Sequence, residues 1–161
     1  MALRPSSTRK FLVLCCALLG LGLIAQPSAR AGDSLVGIVT NVETADTVTL
    51  DYGTGSYQLR IIGIDVPREG PLAQSAKKFT ADLVLHKKVR MRFDHRTPQG
   101  VMLVRLLATD QPKIKDVGVE LVRAGLAQRQ KDYVEKYGEL AKAEREAQQA
   151  RRGLWSTQRP Q

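Results

Sequence analysis

The hydrophobic pattern of this chain changes along its length, and that change limits the folds it can adopt. In roughly the first two thirds, short segments alternate polar and apolar residues, as in Thr47-Val48-Thr49-Leu50, which is the pattern of a half-buried strand. Turn signals such as Gly53-Thr54-Gly55 separate these segments. Strands are predicted over residues 34–40, 47–50, 57–64, 89–93 and 101–108.

Apolar residues at helical spacing fill most of the remaining chain. Helices are predicted over residues 72–86, 114–124 and 136–152, and Gly125 and Gly153 are placed to end the last two. One helix is inserted between strands and two follow them, so the sequence predicts an α+β fold. A five-stranded OB-type β-barrel with three helices is the architecture that suits this order.

The N-terminal segment, residues 1–31, has the features of a signal peptide. A basic start precedes an apolar stretch over 11–25, and Ala29-Arg30-Ala31 matches the small-x-small cleavage pattern. An uncleaved anchor is the alternative, but the apolar stretch is short for a membrane span of about 20 residues. We therefore expect export to the periplasm or the exterior after cleavage near Ala31, with no membrane span in the mature chain.

The mature chain is then expected to be one domain over residues 32–155, followed by a loose tail over 156–161. Both cysteines, Cys15 and Cys16, lie in the apolar stretch, so the domain has no disulfide and no thiol chemistry. The oligomeric state is left open by the sequence.

The whole chain carries a formal charge of +9, and its basic excess favours polyanionic partners without identifying one. Four cationic residues and no acids lie in residues 1–31, so the remainder still carries +5. The densest basic cluster is Lys87, Lys88, Arg90, Arg92 and Arg96. Alternate residues of a strand share a face, so part of this cluster can meet a phosphate backbone. A solvated strand face is the alternative interpretation.

Residues 42–69 hold the side chains with the clearest chemical meaning. Asp46 and Asp65 flank Arg60 on what is predicted to be a hairpin and the loop after it. Two carboxylates beside one guanidinium are the groups needed to hold a hard divalent cation and a phosphate together. Arg68 stands in this loop where a catalytic acid is expected, which points to a phosphodiesterase frame with an incomplete catalytic set.

Two stretches of this region, Ala45-Asp46-Thr47-Val48 and residues 59–67, resemble the signature of the staphylococcal nuclease family. Gly70-Pro71 before a helix, residues 121–127 and residues 146–155 match further family segments in the same order. The resemblance covers nearly all of the mature chain. It implies an OB barrel with three helices and calcium-dependent hydrolysis of phosphodiester bonds in DNA or RNA.

The resemblance also implies roles for individual residues. The two aspartates that bind calcium in the family fall on Asp46 and Asp65, and the carbonyl that completes the site falls on Val66. The first phosphate-binding arginine falls on Arg60. A family tyrosine after the second helix can match Tyr133, which is a candidate to stack a nucleic-acid base.

Other family positions are occupied by residues of the wrong chemistry. The catalytic glutamate is replaced by Arg68, the second arginine by Val101, and the first acid of the metal loop by Thr44. Gln99 and Lys131 stand where tyrosines are expected. Arg68 cannot act as a base, because a guanidinium stays protonated, and its charge would weaken cation binding nearby.

Three functions follow from this pattern. We favour an exported nuclease-fold domain whose hydrolysis is strongly weakened or lost and which still binds single-stranded DNA, RNA or another partner. The first alternative is an active calcium-dependent nuclease that has rebuilt its site with Glu69 and Arg96. The second is a structural, protein-binding domain of the cell envelope, in which Asp46 and Asp65 cap loops and Arg60 pairs with one of them.

Overall fold

The computed structural model describes residues 34–53, 55–134 and 138–156. The strands are β1 Ser34–Val42, β2 Thr47–Tyr52, β3 Gly55–Ile61, β4 Ile64–Asp65, β5 Lys88–Arg96, β6 Met102–Ala108, β7 Lys115–Asp116 and β8 Gln128–Arg129. The helices are α1 Gly70–Val84, α2 Val117–Arg123 and α3 Glu139–Gln149, and a 3₁₀ turn covers Gly153–Trp155.

Five strands close into a barrel in the order β3-β2-β1-β5-β6. The neighbours in this order are antiparallel, and the barrel closes where β3 pairs with β6 in parallel. The closing register sets Leu59 opposite Met102 and Arg60 opposite Leu103. The predicted α+β fold, a five-stranded OB-type barrel with three helices, is confirmed.

The barrel interior is filled by the alternate residues that the sequence pattern marks as apolar. On β5 and β6 the buried residues alternate with exposed or half-buried ones along most of each strand. The largest fully buried side chains include Leu50, Leu59, Met91 and Leu106 of the strands, and Leu121 of α2. Helix α1 adds Ala76, Thr80 and Val84 to this interior. Burial of such side chains stabilises the fold by about 1.5–3 kcal/mol for each large one.

Arginine–carboxylate contacts hold the two C-terminal helices against the barrel. Arg105 of β6 contacts Asp116 and Glu139, each at 2.7 Å. Burial by itself would lower the pKa of Arg105, but the charges and hydrogen bonds of these two acids outweigh it and raise the pKa. Arg123 of α2 likewise contacts Glu120 and donates to Glu146 of α3 at 2.9 Å. Arg105 thus joins β6 to Asp116 and to α3.

Two predicted elements differ from the structure because two-residue strands pair with other segments of the chain. The strand predicted over 57–64 is interrupted: β3 ends at Ile61, and the chain resumes as β4, which pairs with β8. The second helix begins at Val117, because the two residues before it pair with β6 as β7. Asp116 then caps α2 by accepting a hydrogen bond from the Val119 backbone.

Several sequence predictions fall outside the described residues. These are the signal peptide over 1–31, the start of the third predicted helix at residues 136–137, and the tail beyond residue 156. Within the described ranges, none of the helices combines the length and the apolar character needed to cross a bilayer.

Gly125 provides a test of how the C-terminus packs on the barrel. Its φ is +72°, and a Cβ at this position would lie 2.2 Å from the Arg152 carbonyl oxygen. We expect Gly125→Ala to combine about 1–2 kcal/mol of backbone strain with about 1–3 kcal/mol of overpacking. Urea unfolding followed by circular dichroism measures the sum.

Gly100→Ala is the matched control for this substitution. Gly100 has a similar φ of +88°, but nothing lies within 4 Å of a Cβ built there. It should cost the backbone strain of about 1–2 kcal/mol alone. Equal losses in the two variants would contradict the close backbone packing at Gly125.

Candidate functional site

Asp46 lies at one end of the barrel, in the loop between β1 and β2. Backbone hydrogen bonds of Asp46 and of Ala45 fix its position. The Asp46 carbonyl accepts a hydrogen bond of 2.8 Å from the Ile61 backbone on β3. The preceding Ala45 carbonyl accepts one of 2.8 Å from the Thr80 hydroxyl on α1. The Asp46 residue is only 2% exposed. A carboxylate held this deeply needs a partner for its charge.

Arg68 supplies that partner through two hydrogen bonds. Its Nη1 donates to Asp46 Oδ1 and its Nη2 donates to Asp46 Oδ2, each at 3.1 Å. This is the bidentate geometry in which a guanidinium and a carboxylate interact most strongly. Arg68 comes from the segment that leads into α1, so the pair joins that segment to the β1–β2 loop.

Arg60 approaches the same carboxylate from β3. Its Nε lies 3.6 Å from Asp46 Oδ2 because β3 sets Arg60 opposite Thr47, the residue next to Asp46. The hydroxyls of Thr44 and Thr47 donate to Asp46 Oδ1 at 2.6 Å and 3.1 Å. We call Asp46 with Arg60, Arg68 and the two threonines the Asp46 pocket.

The pKa of Asp46 reflects two opposed effects. Burial acts to raise it, since a buried carboxylate loses its hydration. Hydrogen bonds from Thr44, Arg68 and Thr47, together with the positive charge of Arg68, outweigh burial and hold the pKa below its ordinary value of 3.8. The carboxylate is therefore ionised at neutral pH and is held in that state by internal donors.

The other predicted metal ligands lie near this pocket in sequence but do not complete it. Asp65 is an exposed residue of β4, where its backbone pairs with Gln128. Val66, whose carbonyl is the third predicted ligand, is buried, with 8% of the residue exposed. Glu43, the acid nearest to Asp46 in its loop, accepts hydrogen bonds from Thr49 and Gln58.

These residues do not fit a calcium ion. Calcium needs six to eight oxygen ligands, and both Asp46 oxygens already accept hydrogen bonds from a cation. Among the residues that the structure describes, no group of three or more His, Cys, Asp or Glu side chains gathers to hold a metal. The metal site at Asp46, Asp65 and the Val66 carbonyl therefore stays a sequence prediction.

The two residues proposed for a rebuilt site are placed differently from each other. Glu69 is the exposed residue that precedes α1, and its side chain makes no capping hydrogen bond there. Arg96 lies at the end of β5, where its Nη1 donates to the Gly100 carbonyl of its own turn at 2.9 Å. The structure brings neither of them to the Asp46 carboxylate by a hydrogen bond within the described residues.

Three of the six predicted nucleic-acid contacts form a row on the outside of the barrel. Lys88, Arg90 and Arg92 are all exposed and alternate with buried residues of β5, so they share one face. Their spacing along the strand is about 6.6 Å. Lys87, just before β5, is half-buried, and its Nζ donates to the Asp82 carbonyl of α1 at 2.5 Å. We call Lys88, Arg90 and Arg92 the basic row.

Tyr133 packs on the protein. It is partly buried against the hydrophobic core, and a Cβ added to Gly63 would lie 2.5 Å from its ring. The ring thus covers the turn between β3 and β4. This contact and the φ of +77° account for the glycine at position 63, and the role of Tyr133 in stacking a base stays a prediction.

The sequence alone does not predict the contact between Arg68 and Asp46. The two residues are 22 positions apart, and no local pattern pairs them. The available signal is the arginine at a position where the family resemblance expects an acid. Thr44 carries a similar signal, since it replaces an acid and donates to Asp46.

The closed barrel, its three helices and the guanidinium groups gathered at one barrel end define a nuclease-fold domain. The family model described as "Staphylococcal nuclease homologue" matches residues 58–157, and the chain belongs to this family. The matched range contains Arg60, Asp65 and Arg68 and begins after Asp46.

A relative supports this assignment. The "Probable endonuclease LCL3" of Verticillium alfalfae is 36% identical over 114 residues, and the match covers 63% of this chain. The match covers 39% of the relative, so the chain spans about two fifths of that protein. The similarity supports a nuclease domain shared by the two proteins. It does not by itself assign the relative's activity to this chain.

The depressed pKa of Asp46 predicts an acid-sensitive component of stability. Because the pKa is lower in the folded chain than in the unfolded chain, the ionised carboxylate stabilises the fold above about pH 3.8, and this contribution is lost as the pH falls through the folded value. We expect the free energy of unfolding to decrease over this acid range.

Urea unfolding at a series of pH values measures this component, with Asp46→Asn as the comparison. The variant should be less stable at neutral pH, by about 2–4 kcal/mol, because it breaks the bidentate contact with Arg68. The difference between the two proteins should shrink in acid. A difference that is independent of pH would show that Asp46 ionisation does not stabilise the fold.

Proposed function

We propose that this chain is an exported nuclease-fold domain that binds single-stranded DNA or RNA and hydrolyses it very slowly or not at all. The observation that carries the proposal is the position of Arg68. It occupies the sequence position where the family resemblance places the catalytic glutamate, and its guanidinium contacts both oxygens of Asp46. The pocket therefore has a fixed cation where the reaction needs a proton acceptor.

Magnitudes support a large loss of activity. A positioned general base contributes about 10²–10⁴ to a rate, and Arg68 cannot take a proton. A preorganised donor contributes about 10²–10³, and Val101 cannot replace the second arginine. The combined loss would be about 10⁴–10⁷ if the two groups act independently. Arg105 does not compensate, because Asp116 and Glu139 hold it elsewhere.

The basic row supports nucleic-acid binding. Three exposed cations at a regular spacing on one strand face suit the regular charges of a phosphate backbone. Neighbouring β1 sets Val36, which is 40% exposed, opposite Arg90 and Ile38, which is 50% exposed, opposite Lys88. Aliphatic surface beside the cations suits unpaired bases better than a fully paired duplex.

Export is part of the proposal and rests on residues 1–31. Their basic start, apolar stretch and cleavage pattern support secretion across a membrane. Calcium dependence is a property of the family that the Asp46 pocket of this chain does not support.

An active nuclease is the second candidate function. The similarity to a probable endonuclease favours it, and so does Glu69, whose exposed side chain stands beside Arg68 and caps nothing. In this case Glu69 would take the proton that Arg68 cannot. The envelope-domain alternative accounts for the contact of Arg60 with Asp46, but the same contact belongs to the proposed site and does not favour this alternative over it.

Cleavage is tested with the mature protein and a labelled single-stranded oligonucleotide, with calcium and with a chelator. We expect turnover far below about 1 s⁻¹, the lower end of the ordinary enzyme range. Turnover above that value would overturn the proposal. If cleavage then disappears in both Glu69→Gln and Asp46→Ala, the rebuilt nuclease is the correct function.

Binding is tested on the same oligonucleotide by fluorescence anisotropy at several salt concentrations. We expect affinity to fall steeply with salt. The double variant Arg90→Gln/Arg92→Gln should reduce the slope of log K against log salt by about 0.7 for each phosphate that the protein no longer neutralises. The physical reason is that fewer counterions leave the strand when fewer cations meet it.

Arg145→Gln is the matched control for this binding experiment. Arg145 is an exposed cation on α3, and no ion pair with another described residue involves it. Its removal changes the net charge by one and should leave the slope unchanged. Equal reductions per charge in the control and the double variant would attribute binding to overall charge and remove the basic row from the proposal.

A further inference from the structure

We propose that Arg68 is the resident cation of the Asp46 pocket, which makes this pocket a metal-independent site for a phosphate group. In the family resemblance, Asp46 is a ligand of calcium. In this chain its negative charge is neutralised from within the protein. The identity of the bound group rests on the proposed function, whereas the independence from calcium does not.

The Asp46 carboxylate accepts hydrogen bonds at both of its oxygens. Oδ1 accepts from Thr44, Thr47 and Arg68. Oδ2 accepts from Arg68 and lies 3.6 Å from the Arg60 Nε. Both oxygens are therefore already committed. A calcium ion would have to displace the guanidinium from an oxygen before it could coordinate it.

The net charge around Asp46 favours an anion over a cation. Two guanidinium groups surround one carboxylate, so the cluster of Asp46, Arg60 and Arg68 has a formal charge of +1. A divalent cation that enters this cluster meets net repulsion, whereas an anion meets net attraction. The residues around Asp46 thus favour an anion, whereas a calcium site favours a cation.

The side chains of Arg60 and Arg68 are exposed to solvent, so a ligand can reach them. The side chains of Arg60 and Arg68 are 48% and 52% exposed, while Asp46 is 2% exposed. The acid lies beneath, and the two arginines reach solvent. A guanidinium has five N–H donors, and Arg68 uses two of them on Asp46. The remaining donors can bind a phosphate, whose oxygens match the guanidinium fork.

Calcium is tested first, by thermal unfolding of the mature protein in calcium and in a chelator at matched ionic strength. Calcium at ten times its dissociation constant would raise the Tm by about 5 °C in a domain of this size. We expect no shift in the unaltered protein up to millimolar calcium, because both Asp46 oxygens are occupied by Arg68.

Arg68→Gln and Arg68→Glu test the cause. Each removes the internal cation and should lower the Tm in chelator, and each should then gain a stabilisation by calcium of several degrees. The gain should be larger for Arg68→Glu, which adds a carboxylate. If Arg68→Glu does not fold in chelator, Arg68→Gln and recovery of folding by calcium remain as readouts.

Phosphate is tested by calorimetric titration with inorganic phosphate in the presence of the chelator. We expect weak, saturable binding that falls about tenfold or more in Arg60→Gln and Arg68→Gln, since each loses a charged donor. Arg145→Gln should bind phosphate like the unaltered protein.

Two results would overturn the inference. The first is a calcium-dependent rise in Tm of the unaltered protein as large as that of Arg68→Gln, because Arg68 would then exclude nothing. The second is phosphate binding that requires calcium or is unaffected by Arg68→Gln. A protein that ignores calcium and binds phosphate but not the oligonucleotide would refute the proposed function and leave this inference intact.

Discussion

The buried charge of Asp46 is the constraint on which this end of the molecule depends. A carboxylate that is 2% exposed must have a compensating cation, since an uncompensated one would cost several kcal/mol. The choice of cation then decides the chemistry. A metal ion can activate water and polarise a phosphate. A guanidinium can neutralise charge and donate hydrogen bonds, but it cannot take a proton. In this protein the cation is the guanidinium of Arg68.

Contacts from α1 and β3 position the loop that carries Asp46. The Thr80 hydroxyl ties α1 to the loop before Asp46, and α1 follows directly on the segment that carries Arg68. The C-terminal helices are held by separate contacts through Arg105 and Arg123. The C-terminal helices and the pocket therefore use different side-chain contacts, so the pocket can change its chemistry while these helices stay in place.

The parts of the fold that follow local periodicity were predictable. The barrel strands and all three helices occur where alternation or helical spacing indicates them, although their ends differ by a few residues. The misses are pairings of strands only two residues long: β4 with the distant β8, and β7 with the nearby β6. No local pattern specifies such pairings. The basic row was predictable because alternate residues of β5 share a face, whereas the packing of Tyr133 against Gly63 was not.

The sequence by itself determined which chemical groups this protein has. It indicated the barrel strands and the helices through the period of its apolar residues, and it placed an arginine at position 68, which no arrangement can turn into a base. The tertiary structure decided what that arginine does. The docking of α1 and the contact of β3 with the Asp46 loop bring Arg68 to Asp46 across 22 residues of chain. The physical reason is that a buried charge is neutralised by whichever cation the folded chain delivers to it, and delivery depends on three-dimensional packing.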